Sequence, residues 1–201
     1  MSSPKRLQVK LFFDESTDVP VKSYIPVFHK WIQGQSTDDL LIDVHNYSHM
    51  HHGPGILLVA HESDFSIDLA EGKHGFVYRR KREFTGTTGE LVELVLQRAI
   101  KGALLLASEK SLPGKVSFRL DEMEVRFMDR LAWPNSESGW KAAESELNKT
   151  TGKLFGKDNV ELQRVENDSR EPLTVKILYA VPLTLEDFAL KIGLKLEEEQ
   201  V

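Results

Sequence analysis

An α+β fold made of two similar β-α-β-β-α lobes is what this sequence predicts, on three observations. Short runs alternating apolar and polar residues at period two recur along the chain, the mark of strands with one buried face. Between them lie stretches with apolar residues three and four apart, opened by capping residues and closed by Gly or Pro. The two kinds follow the same order in each half: strand, helix, strand, strand, helix, with an extra pair of strands at about 64–84 in the first. That order has split βαβ, ferredoxin-like character. It places an N-terminal lobe at 1–112 and a C-terminal lobe at 113–201, packed as one unit. No residue-level identity links the halves, so the likeness is one of topology.

Leu7 to Phe13 alternates through Leu7, Val9, Leu11 and Phe13 and predicts the first strand. Pro26 suits the first turn of a helix, Val27, Phe28, Trp31 and Ile32 give it an apolar stripe, and Gly34 ends it. Leu40 to Val44 is a short strand, and Ile56 to Ala60 is a wholly apolar one, expected to be buried on both faces. Phe65, Ile67 and Leu69 alternate with polar residues, and Phe76 to Phe84 follows after a turn at Glu71 to His74. Thr87 and Glu90 have the spacing of a capping box, opening a long helix that stops before Pro113-Gly114.

In the second half, Val116–Leu120 and Glu124–Leu131 are strand-like. Pro134-Asn135 opens a helix with Trp140, Ala143, Leu147 and Leu154 on one face. Val160–Val165 and Leu173–Ala180 are strands joined by a polar turn, and Thr184 to Asp187 starts the last helix through Phe188, Ala189 and Ile192.

Composition narrows the function classes. Forty percent hydrophobic and 28% charged residues over 201 positions is ordinary globular composition, enough for a sizeable core. The net charge is −5; residues 1–110 carry −1 (13 Lys and Arg against 14 Asp and Glu) and the remainder −4 (13 against 17). Neither half is basic, which makes nucleic acid an unexpected partner. The absence of cysteine removes disulfides, a thiol nucleophile and thiolate metal sites. The longest apolar block, Leu91 to Ala107, contains Glu93, Gln97, Arg98 and Lys101, so a buried helix is expected there and no membrane span. A cytoplasmic setting is the default expectation.

The stretch Asp43 to Gly55 (DVHNYSHMHHGPG) concentrates the chemistry. Four of the seven histidines fall between His45 and His52, and six between His45 and His74. If the backbone stayed extended past Val44, then Asp43, His45, Tyr47, His49 and His51 would all point to one side. His45, His49 and His51 are then candidate ligands for a divalent transition metal such as zinc, with a carboxylate from Asp43, Glu62 or Asp64 completing an open site. An open position would supply a bound water of lowered pKa, hence hydrolysis, with His49, His51 and Glu62 as catalytic candidates. The established patterns are missing: there is no His-Glu-x-x-His, and Gly53 and Pro54 stand where a His-x-His-x-Asp-His signature needs Asp and His. Two other readings stand beside the metal: plain loop or ligand-pocket histidines, and acid–base use without metal. His45, Tyr47, His52, His61 and Arg80 are the residues expected to touch a small ligand there.

Tyr78 to Arg82 (YRRKR) is the one basic run. On a strand it splits its charge between both faces, which suggests an exposed or edge strand. Its sharper version sets Arg79 or Arg80 against a carboxylate or phosphate in the histidine cavity.

Three functions of different class follow. The first is binding of a small ligand or divalent metal at His45–His61, with hydrolysis as an extension. The second is an interaction or self-association module working through a sheet edge or the histidine loop, as a homo-oligomer. The third is anionic-ligand or nucleic-acid binding through Arg79–Arg82.

Overall fold

The computed structural model of the chain describes residues 6–51, 53–181 and 183–195. Its strands are β1 (Leu7–Phe13), β2 (Leu41–Tyr47), β3 (Gly55–Ala60), β4 (Ser63–Asp68), β5 (Gly75–Arg80), β6 (Phe118–Phe127), β7 (Val160–Arg164) and β8 (Leu173–Tyr179). Its helices are α1 (Tyr24–Gly34), α2 (Thr88–Ala107), α3 (Glu137–Phe155) and α4 (Leu185–Lys191). The strands form one eight-stranded sheet in the order β2-β3-β4-β5-β1-β6-β8-β7, every pair antiparallel. The two halves meet where β1 pairs with β6.

Directly opposed residues in a ladder share a face, so the register traces each face across the sheet. One row runs Val44, Leu58, Phe65, Tyr78, Val9, Val125, Val175. All four helices lie on that side. Trp31 of α1 packs edge-on against Phe65 and Phe76. Gly102 of α2 lies so close to Phe76 that an added Cβ would fall 2.8 Å from its ring. Phe155 of α3 and Phe188 of α4 close on Tyr179 of β8, with ring centroids 5.2 and 4.9 Å away. This face holds the core.

Local chemistry sets the helix boundaries. The capping boxes of α2 (Thr87 with Glu90) and α4 (Thr184 with Asp187) are both formed, each satisfying N–H groups that the first turn leaves unpaired. Ser136 caps α3 by accepting from Gly139 N–H. Gly34 is the last residue of α1, followed by Gln35 in a left-handed conformation.

Two expectations need correcting. The segments 116–120 and 124–131 are not two strands: β6 runs unbroken from Phe118 to Phe127, its irregularity absorbed by a register shift opposite Leu11 and Phe12. The strand carrying the basic run is not at an edge; β5 lies between β4 and β1. Its charges are tolerated because Arg79 and Arg80 sit at its end with acidic partners. Pro26 falls in the first turn of α1, as expected, and the helix starts at Tyr24 behind a 3-10 turn at Val21–Ser23.

Candidate functional site on the open face of the sheet

The row on the other face reads His45, Leu57, Ser66, Val77, Lys10, Glu124, Lys176, Gln163. No helix among the described residues packs on it, yet its centre is well buried: Lys10 is 2% exposed, Asp64 and Glu124 6% each. The side chains cover one another. Lys10 Nζ donates to Asp68 at 2.7 Å and lies 5.4 Å from the centre of the Phe12 ring, which shields its stem. Gly75, opposite Phe12, leaves the room this needs, since a Cβ there would come within 3.0 Å of Lys10 Cε. Arg126 folds back on Glu124 at 2.9 Å.

Toward one end of this face the charge becomes unbalanced. Arg79 and Lys81 both reach the buried Asp64 carboxylate, at 2.9 and 2.7 Å. Arg6 and Arg82 stand beside them, and with Met128 these residues line a depression of about 440 Å³. Four cationic side chains thus line one depression, and two of them, Arg79 and Lys81, share one carboxylate. A second depression of about 250 Å³ adjoins it across Asp64 and Arg79, continuing over Gln8, Ser66, Val77, Asp68 and Arg126 to Gly53 and Pro54.

That second depression is where the histidine stretch reaches the face, through its turn and not its imidazoles. Strand geometry lasts only to Tyr47; Met50 N–H then donates to Tyr47 O and Gly53 N–H to Met50 O, and 48–51 lie in turns. Asp43, His45 and Tyr47 do share a face, with His45 Nε2 3.5 Å from Asp43 Oδ2 and its ring tilted against Tyr47. His49 and His51 lie in the turns, where the alternation expected to align them is lost, and both are exposed. His52 lies outside the described residues. Gly55, at φ 67°, brings the chain into β3 under the Ile67 carbonyl, an approach only glycine permits.

Among the described residues no group of three or more His, Asp or Glu is placed to hold a metal ion, and His45, His49 and His51 form no such group. His61 is exposed and bonds through its backbone, its N–H to Leu40 O and its O to Arg82 Nε. Glu62 binds Arg80 at 2.6 Å. Arg80 points to the helix side, as its place opposite Ser63 and two residues from Tyr78 dictates, and it does not face the histidines. The residues of this face that the sequence left unmarked are Arg6 and Lys10 with Asp68; Asp64, expected as a carboxylate for a metal, instead bonds Arg79 and Lys81. Only the register of three strands, β4, β5 and β1, brings them together.

The site is therefore that of an α+β protein presenting one uncovered, charged sheet face. Compared with known proteins, the chain matches no family model and no curated protein. Among the described residues, no helix is long and apolar enough to cross a membrane.

Proposed function

We propose that the protein binds a small anionic ligand, a phosphate or carboxylate compound, on the open sheet face between Arg6, Arg79, Lys81 and Arg82. One observation carries this reading. On a chain of net charge −5, four cations line a single depression, and among the described residues lining it Asp64 is the only acidic one. Uncompensated positive charge in a concave, partly desolvated place favours an anion that can accept several charge-assisted hydrogen bonds. The ligand body would extend over Ser66 and Val77 toward the Gly53-Pro54 turn, so the histidine stretch shapes the rim. A cytoplasmic setting, rich in phosphorylated and carboxylated metabolites, is the one this reading assumes. We also read the halves as two versions of one split βαβ plan, supported by β6 and β7 running parallel with β8 between them.

Titration calorimetry at low ionic strength with inorganic phosphate, pyrophosphate and citrate tests the proposal. At least one should bind saturably and weaken as salt is raised. Arg82→Gln and Arg6→Gln should each weaken it on the order of tenfold to a hundredfold, the range for a charged hydrogen bond. No binding at low salt, or wild-type affinity in both variants, overturns it.

A further inference from the structure

We infer that the free edge of β2 pairs with the same edge of a second copy, joining two sheets about a two-fold axis at Val44. The two edges of the sheet differ in kind. The outer strand β7 alternates half-buried residues with exposed Glu161 and Gln163, ordinary protection of an edge. Strand β2 has neither Pro nor Lys; the Gln35 side chain covers its backbone at Leu41, and beyond that residue the exposed large apolar side chains gather around it. Leu40 is 62%, Ile42 53% and Met50 51% exposed, three of the six such residues among those described.

Charge selects the partner and the register. Asp43 and His45 lie on the same face of β2, one residue either side of Val44, and both are exposed. An antiparallel pairing centred on Val44 sets Asp43 opposite the partner's His45 and His45 opposite the partner's Asp43. Two complementary contacts arise from one chain pairing with itself, as an isologous interface requires. In the single chain the Asp43 carboxylate instead accepts from Val44 N–H at 2.8 Å, a local substitute that pairing would release. Ile42 falls opposite the partner's Asn46 and is covered by the joined strands. The contact is small, so association should depend on concentration.

The chain has no cysteine, which makes the test clean. Directly opposed residues of an antiparallel ladder have Cα atoms about 4.5–5.5 Å apart, within disulfide reach. Val44→Cys should therefore form a disulfide-linked dimer under mild oxidation, far faster than Gln163→Cys on the opposite edge. In sedimentation velocity the wild-type chain should move from monomer to dimer as concentration rises. His45→Asp should shift it to monomer, and adding Asp43→His should restore the dimer. Thermal midpoints of the variants verify folding. A chain monomeric at every concentration, or Val44→Cys cross-linking no faster than Gln163→Cys, overturns the inference.

Discussion

Replacing Asp39 by alanine should cost about 3–5 kcal/mol of stability, the range for stripping one partner from a buried charged cluster. Asp39 precedes β2 and is buried. Its Oδ1 accepts from Ser63 Oγ at 2.7 Å and from the Tyr78 hydroxyl at 3.3 Å. Its Oδ2 makes no hydrogen bond but lies 4.0 Å from Arg98 Nε, close enough for charge attraction alone. Burial first, and then Asp39 itself, pushes the Tyr78 phenol well above its ordinary pKa, so the hydroxyl stays a donor at any working pH. Truncation strands two fully buried hydroxyls, at about 1–3 kcal/mol each. It also removes one of the two carboxylates near Arg98, whose charged form burial already disfavours; the other is Asp38. Asp39→Asn keeps shape and acceptor and should lose only about 1–2 kcal/mol. Urea unfolding followed by tryptophan fluorescence reads both values, and the alanine variant should melt roughly 6–20 °C lower, at 2–4 °C per kcal/mol for a chain of this size. An alanine variant within about 1 kcal/mol of wild type, or alanine and asparagine variants alike, refutes the reasoning.

Three further outcomes follow from the packing and the caps. Gly102→Ala drives a methyl against the Phe76 ring, 2.8 Å away, and should destabilise by about 1–3 kcal/mol in the same urea assay. Phe188→Ala opens the cluster with Phe155 and Tyr179 and should cost about 3–5 kcal/mol, measured as a lower urea midpoint at unchanged slope. The Glu90 carboxyl is held below its ordinary value of 4.5 by the Thr87 backbone N–H first and the Thr87 hydroxyl second. Its stabilising effect is complete above 4.5 and is lost as pH falls through the lower folded value. Wild type and Glu90→Gln should thus differ in urea midpoint at about pH 7, and the gap should close as the pH falls below the ordinary carboxylate range; a constant gap would argue against the cap as the source.

Period-two and three-four patterns were enough to place the elements, because burial on one face leaves its rhythm in the residues themselves. Thr87 with Glu90 and Thr184 with Asp187 were legible for a similar reason: both partners lie within four residues. The histidine stretch shows where that legibility stops. Its imidazoles are close in sequence, but the turns after Tyr47 break the alternation that would have aligned them, and turn geometry is not written in histidine spacing. Arg79 and Arg80 show the converse. Their opposite faces were readable, but which face met the helices was not, so Arg80 was expected at the ligand and lies with Glu62 on the other side.

By itself the sequence determined the α+β class, the caps, the apolar face of each strand and the lack of thiol chemistry. Tertiary structure decided that both halves share one sheet, that the helices cover only one side of it, and that Arg6, Arg79, Lys81 and Arg82 line one depression beside Asp64. The physical reason is range. Backbone propensity and side-chain periodicity act over a few residues and are recorded locally. The charge of a site is a sum over side chains from distant strands, settled only when the register of the ladders chooses their neighbours.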